Sequence, residues 1–378
     1  PRRTPRRPAP PPAAASSGGV SFHGVSLPAD AFSRTDRIPD SLAAAIDATR
    51  RTLRVAVYEL NLPGVADAIV RAQQRGVDVE VVYDWSHAQG LGGAGGQPGS
   101  FARPSPQLQQ LLSAGVPVRF LRGSGPYGIM HNKFAVLDGE LVETGSFNWT
   151  LAADQTNFEN AVFRDDPSLA SLFSSYFDWM WNLGAAPGAG APSAGPFGTP
   201  PSDPSPTVAF KGASLPRATF SPDGGTGAAL VDAISRCTMS LDVAIFSFYS
   251  PAVADAVVAA KDRGVAVRVV ADVSQAQKSP QVARLINAGV PVRLSAGRGG
   301  RGVLHHKFAV LDGELVATGS YNFSVNAEKN NFENQLMSAD PGDAAAFGAE
   351  FEAVWAQAHD PQPGEVQGAN VSGSVALR

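Results

Sequence analysis

His131-Asn-Lys133 and His305-His-Lys307 each place an imidazole two residues ahead of an ammonium, and each opens the same longer run, HxKFAVLDGELVxTGSxN. A carboxylate follows each run at a matching distance: Glu159 in Asn157-Phe-Glu-Asn160 and Glu333 in Asn331-Phe-Glu-Asn334. These residue types suit a phosphodiester. Lys133 and Lys307 offer fixed positive charge to non-bridging oxygens, while Ser146, Asn148, Ser320 and Asn322 offer neutral donors. An imidazole can attack phosphorus or move a proton near neutral pH. Two of them divide the labour, one attacking in line and the other protonating the leaving oxygen. A nucleophilic imidazole needs its second ring nitrogen held, and a carboxylate is the usual holder. The expected pairing lies within each half, Glu159 with His131 and Glu333 with His305. No metal site and no cofactor are expected. The one cysteine, Cys237, excludes an intrachain disulfide or a cysteine-based cluster and is expected to pack in the core.

These residues must be held by a repeated set of elements. Arg54-Val-Ala-Val-Tyr-Glu-Leu60 followed by VADAIVRAQQRGVDVEVVYD is echoed by Asp242-Val-Ala-Ile-Phe-Ser-Phe248 followed by VADAVVAAKDRGVAVRVVAD. Both copies continue to AGVPVR and then to the His-x-Lys run. Self-similarity this close is the mark of a duplication. Within a copy the pattern reads as a strand over 53–60, a helix with the apolar stripe Val65, Ile69 and Val70, and a strand over 77–83. A helix around 108–112 and a strand over 116–120 follow. Alternating βα units argue for an α/β sheet covered by helices. Asp138-Gly139 and Asp312-Gly313 sit between apolar runs, a signal for a type I′ hairpin turn. On such a hairpin His131 and Lys133 share a face, with Phe134 and Val136 on the other. Asp84 and Asp272 end equivalent strands and are read as loop-fixing or site-edge residues. His87 occurs in one copy only and is read as a loop residue, and His306 as a bystander of opposite parity.

Five segments follow: a Pro/Ala/Arg-rich arm at 1–19, a first domain at 20–183, a Pro/Gly/Ala linker at 184–206, a second domain at 207–360 and a loose tail at 361–378. A Gly-rich insert at 90–104 belongs to the first copy alone. No run approaches the roughly 18 apolar residues that cross a bilayer. The start at Pro1 and the low-complexity arm and linker suggest processing and an extracytoplasmic location. Net charge is -4, which weighs against a protein given over to gripping a nucleic-acid backbone.

The order His-x-Lys, four residues, Asp, then Gly-Ser-x-Asn and a later Glu resembles the phospholipase D superfamily. His131, Lys133, Asp138, Gly145, Ser146, Asn148 and Glu159 match in the first half. His305, Lys307, Asp312, Gly319, Ser320, Asn322 and Glu333 match in the second. The resemblance implies an α/β fold of two duplicated α/β/α sandwich halves packed about a pseudo-twofold axis. It also implies a phosphohistidine intermediate without a metal, with the first histidine as nucleophile and the second as general acid. Asp138 and Asp312 belong to the motif, yet their turn position accounts for them structurally. The look of the halves is nearest the bacterial endonuclease and mitochondrial cardiolipin hydrolase branch. The reading favoured is a phospholipid phosphodiesterase, the alternative a nuclease using the same chemistry, and the third a non-catalytic phosphate-binding scaffold. Arg298 and Arg301 are expected to add positive charge at one side of the mouth for an anionic head group or one nucleic-acid strand. No obligate protein partner is implied, and both half-sites in one chain suggest a monomer.

Overall fold

The computed structural model describes residues 18–89 and 105–371. The Gly-rich insert at 90–104, most of the arm (1–17) and residues 372–378 lie outside the described residues.

The chain enters each half through a short hairpin, β1 (Val20–Phe22) and β2 (Val25–Leu27) in the first. Seven strands then build the first sheet: β3 (Asp30–Phe32), β4 (Thr52–Val57), β5 (Asp78–Asp84), β6 (Val118–Leu121), β7 (Lys133–Leu137), β8 (Leu141–Gly145) and β9 (Asn160–Asp165). The second half repeats the plan with the hairpin β10 (Val208–Phe210) and β11 (Ala213–Leu215). Its sheet strands are β12 (Ala218–Ser221), β13 (Ser240–Ile245), β14 (Ala266–Asp272), β15 (Val292–Ser295), β16 (Lys307–Leu311), β17 (Leu315–Gly319) and β18 (Glu333–Ser338). The sheet orders correspond strand for strand, β3-β9-β8-β7-β4-β5-β6 and β12-β18-β17-β16-β13-β14-β15. Pairing is parallel where helices cross over (β4–β5–β6) and antiparallel from β4 through β7, β8 and β9 to β3.

Local chemistry explains the element ends. Helices Pro63–Gln74 and Pro251–Asp262 each begin with proline in the first turn, where its missing N–H costs nothing. The β7–β8 turn puts Asp138 and Gly139 at φ of 55° and 68°, and Glu140 N–H donates to the Leu137 carbonyl. That is the left-handed pair a type I′ turn requires. Asp312 and Gly313 repeat it at 54° and 66°.

Period-2 alternation sends the two faces of each sheet into different cores. Leu53, Val55, Ala135 and Leu137 face a core private to the first half, as Leu241, Val243, Ala309 and Leu311 do in the second. Ala56, Phe134 and Val136 join Ala244, Phe308 and Val310 in a third core shared by both. Helices Pro167–Leu183 and Pro341–Gln357 supply much of this shared core, including Phe173, Tyr176, Phe177, Phe347 and Phe351. Tyr176 stacks on Phe220 of the other half at 4.0 Å and donates its hydroxyl to Ser221 O. The 184–206 segment contains no helix or strand, yet it is anchored. Phe197 packs 4.8 Å from Phe332, and the buried Asp203 carboxylate takes hydrogen bonds from Arg217. Cys237 is buried, its thiol directed at the Asp312 carboxylate.

Candidate active site

The strand expected over 53–60 ends at Val57. Tyr58 still donates its N–H to Asn132 O, but the chain then turns away, and Tyr58 and Glu59 become wall residues instead of sheet residues. The Tyr58 ring lies 4.8 Å from the His131 ring, and Phe246 lies 4.8 Å from His305. Each aromatic also sits under a lysine, Lys133 Nζ at 5.1 Å and Lys307 Nζ at 5.4 Å. Sequence reasoning missed this pair. The available signal was an aromatic at the same repeat position, directly after the first strand of each copy.

The within-half carboxylate pairing is wrong. His131 Nδ1 lies 2.8 Å from Glu333, and His305 Nδ1 lies 2.8 Å from Glu159. The cause is backbone pairing between the halves. His131 N–H donates to Phe332 O and Phe332 N–H to Ile129 O; reciprocally, His305 N–H donates to Phe158 O and Phe158 N–H to Val303 O. The segment entering each His-x-Lys run is thus stitched beside the Asn-Phe-Glu segment of the opposite half. Each carboxylate therefore reaches the neighbouring half's imidazole.

The serines are also displaced from their expected role. Ser146 Oγ donates to Glu159 (2.7 Å) and accepts the Asn160 N–H, while Ser320 Oγ does the same for Glu333 and Asn334. Both serines are fully buried and their hydroxyl protons are committed, so they hold carboxylates and are not ligand donors. Asn157 and Asn331 complete the clamp through their amide N–H groups. A Cβ at Gly145 would fall 2.2 Å from Asn160 O, and at Gly319 2.3 Å from Asn334 O, which accounts for glycine before each serine. Asn148 and Asn322 are half-buried, and each keeps a buried amide oxygen without a protein partner. An amide oxygen only accepts, so it is the N–H₂ of each side chain that would donate to a phosphate oxygen.

Lys133 and Lys307 are buried and donate to the carbonyls of His131 and His305 at 2.5 and 2.7 Å. Asp84 and Asp272 sit behind the motifs. Their carboxylates accept the Met130 and Leu304 N–H groups, each at 2.9 Å, fixing the residue ahead of each histidine. Asp138 points away from the site and caps the Arg50, Arg51 and Thr52 N–H groups at the start of β4. Asp312 does the same for Thr238, Met239 and Ser240. His87 is buried with its ring against Tyr58, 4.1 Å away. His306 is buried between Asn160 and Glu350 in the seam between halves. Arg298 does not face the mouth: its guanidinium is spent on the carbonyls of Ser33 and Asp154 in the first half. Arg301 is exposed.

Burial dominates the electrostatics. It pushes His131 well down, helped by Lys133 and Lys307, and takes His305 to about 4 against the opposing pull of Glu159. Burial also lowers Lys133, and lowers Lys307 to about 8. Glu333 rises to about 7 through burial, whereas for Glu159 burial is outweighed by His305, Lys307 and Ser146, which hold it low. Burial therefore favours the neutral form of both imidazoles in the free site. With each Nδ1–H donated to a carboxylate, Nε2 carries the lone pair. Among the described residues, no cluster of three or more His, Cys, Asp or Glu side chains could hold a metal ion.

A family model described as "Cardiolipin synthase, PLD-like domain" matches residues 42–181 and 230–355. The mitochondrial cardiolipin hydrolase of Xenopus tropicalis is 42% identical over 147 residues, 39% of this chain and 62% of that protein. The human mitochondrial cardiolipin hydrolase is 39% identical over 129 residues, and the match spans 50% of its length. The crystal structure of phosphatidylserine synthase from Haemophilus influenzae covers 89% of this chain and 91% of that one at a TM-score of 0.61 and 15% identity, a likeness of fold.

Proposed function

Because the chain belongs to the phospholipase D superfamily, both of its halves matching the PLD-like domain, we propose that it is a phosphodiesterase working through a phosphohistidine. The crossed His131–Glu333 and His305–Glu159 pairs carry this reading. Neither half alone holds a complete imidazole–carboxylate pair, so the two repeats form one site.

In the proposed reaction His131 Nε2 forms a bond to phosphorus as the ester P–O bond breaks. His305 delivers a proton to the leaving oxygen, and Glu333 stabilises the positive charge that grows on His131. The incoming diester supplies the negative charge that makes His305 protonation favourable. Lys133, Lys307, Asn148 and Asn322 take the non-bridging oxygens. Water then gives its proton to His305 and attacks phosphorus, and the P–N bond breaks. Net consumption is one water per ester.

The substrate we favour is a phospholipid. Tyr127 is 81% exposed, and Leu151 and Val325 are also exposed. Tyr127 lies four residues before His131, and Leu151 and Val325 each lie three residues after Asn148 and Asn322. Three of the five exposed large apolar side chains among the described residues thus flank the motifs, which suits a lipid surface. The curated relatives' names as cardiolipin hydrolases point the same way. The test offers the protein phosphatidyl vesicles and single-stranded DNA, each in EDTA. Head-group release that is lost in His131→Ala supports the proposal. Cleavage of DNA alone reverses the substrate, and turnover of neither removes the enzyme reading.

A further inference from the structure

Short helices at Leu151–Gln155 and Val325–Lys329 follow Asn148 and Asn322 by the same step in each half, and they read LAADQ and VNAEK. Only the first and third positions are apolar in both. The third is buried, as Ala153 and Ala327, and packing accounts for it. The first is exposed in both, Leu151 at 45% and Val325 at 54%, and packing does not account for it. A polar residue there would cost the fold little. Neither side chain sits on a loose segment. The Thr150 and Ser324 hydroxyls cap the two helices, and Leu151 N–H donates to Asn61 Oδ1 at 2.8 Å. The fold thus holds a large aliphatic group in water at the same place twice.

The loops that enter the motifs add a second pair. Tyr127 and Arg301 are equivalent, each four residues before its histidine, and both are exposed. Hydrogen bonds between the halves carry each loop across the seam. Ser124 N–H donates to Asn330 O at 2.7 Å and Asn326 Nδ2 to Tyr127 O at 3.5 Å, which brings the Tyr127 loop against the helix that Val325 begins. Arg298 N–H donates to Thr156 O at 2.7 Å and Val303 N–H to Asn157 Oδ1 at 3.2 Å, which brings the Arg301 loop against the helix that Leu151 begins. The rim therefore has two unlike flanks, Tyr127 with Val325 and Arg301 with Leu151.

Charge separates Arg301 from its neighbours. Arg298 is spent on two carbonyls, and Lys329 pairs with Asp223 at 2.8 Å. Glu328 turns inward to the Gly227 N–H and the Tyr321 hydroxyl. The Arg301 guanidinium has no ion-pair partner among the described residues. Exposed apolar groups around one unpaired cation match the layers of a lipid surface, hydrocarbon beneath phosphate. Tyrosine suits that boundary, its ring apolar and its hydroxyl wet. A nucleic-acid strand would gain a single phosphate contact here and leave Leu151 and Val325 without apolar partners.

We propose that this rim is a docking surface for a bilayer containing anionic phospholipid: Tyr127, Leu151 and Val325 insert, and Arg301 takes the phosphate of a lipid beside the one being cleaved. The mouth is seated on the membrane, and lipid hydrolysis is interfacial. The inference rests on the phospholipid reading above and adds how that substrate is met.

The test measures flotation of the full chain with phosphatidylcholine vesicles, with and without phosphatidylglycerol. The wild type is expected to float with the anionic vesicles. Combining Tyr127→Ser, Leu151→Ser and Val325→Ser should lower that binding at least roughly tenfold. Arg301→Gln should lower it about fivefold, and only where phosphatidylglycerol is present. Leu151→Ser with Val325→Ser stands in should the triple variant not fold. In every variant kcat/KM for a soluble p-nitrophenyl phosphodiester should stay at the wild-type value, while the rate on vesicles falls with binding. Wild type that floats with neither vesicle overturns the proposal, as do folded variants that float like the wild type. Single-stranded DNA binding that Arg301→Gln abolishes, without vesicle binding, also overturns it and assigns the rim to nucleic acid. Vesicle docking that the variants remove, in a protein that turns over neither lipid nor soluble diester, supports the docking surface and overturns the phosphodiesterase reading instead.

Discussion

Exchanging Glu333 or Glu159 for glutamine tests the crossed pairing directly. Glu333 Oε2 takes hydrogen bonds from His131 Nδ1 (2.8 Å) and Ser320 Oγ (2.7 Å), and Oε1 takes one from Asn331 (3.0 Å). Three donors converge on two oxygens. Glutamine has one acceptor oxygen, so its amide N–H₂ must face a donor, and the charge that favours an imidazolium is gone. Glu159 has the same geometry with His305, Ser146 and Asn157. Proton transfer by a positioned group contributes roughly 10²–10⁴-fold, and each decade is about 1.36 kcal/mol. Either variant should therefore lose on the order of 3–5 kcal/mol of transition-state stabilisation toward a substrate with an alkoxide leaving group. A p-nitrophenyl diester, whose leaving group departs without a proton, separates the two. It rescues loss of the general acid and not loss of the nucleophile. Because His305 is still needed as base when water attacks, the assay follows the burst of leaving-group release, which reports the first step alone, and compares His131→Ala, His305→Ala, Glu159→Gln and Glu333→Gln on both substrates. Glu159→Gln is expected to share the rescue of His305→Ala, and Glu333→Gln to share the deficit of His131→Ala. If Glu159→Gln groups with His131→Ala, the crossed pairing does not operate in catalysis. This grouping holds whichever histidine attacks.

Burial takes His305 down to about 4 in the free site, and a bound phosphodiester anion raises it again. The alkaline limb of kcat should therefore lie at higher pH than that of kcat/KM; coincident limbs in initial-rate profiles would contradict this. Glu143 is buried in the first half's private core with both carboxylate oxygens unpartnered, where the second half has Ala317. Burial raises its pKa well above normal, so above the unfolded value near 4.5 the unfolded state releases a proton that the native state retains, and stability falls as pH rises. Glu143→Met should gain about 1–3 kcal/mol by denaturant midpoint at pH 7, and a gain that does not shrink toward pH 4 would exclude this cause. Asp312 is held well below the carboxylate range, burial being outweighed by the Cys237 thiol and the Met239, Ser240 and Thr238 N–H groups. Its contribution is present above the unfolded value near 3.8 and is lost as pH falls below it. Asp312→Ala should cost at least roughly 2 kcal/mol in chemical denaturation at pH 7, with KM of the folded protein unchanged.

The duplication, the hairpins and the motif residues were legible because they depend on local rules: repeat spacing, period-2 alternation and the Asp-Gly turn. Tyr58 was read as the sixth residue of a strand expected over 53–60, and the strand stops at Val57. Ser146 and Ser320 were read as ligand donors because serine is a donor in general. Their partners, Glu159 and Glu333, lie 13 residues away in sequence and meet them only in the folded sheet. Arg298 was read as mouth charge, and its carbonyl partners at Ser33 and Asp154 are visible only once the halves meet.

From its sequence alone this protein is a duplicated α/β chain with two sets of phosphate chemistry, since residue identity, spacing and turn type are local properties that survive in one dimension. The folded seam between the halves decided which carboxylate serves which histidine. Backbone hydrogen bonds from residues 129–131 to Phe332, and from 303–305 to Phe158, exchange the partners. Two copies of one pattern are equivalent in sequence, and only packing in three dimensions tells a neighbour in the chain from a neighbour in space.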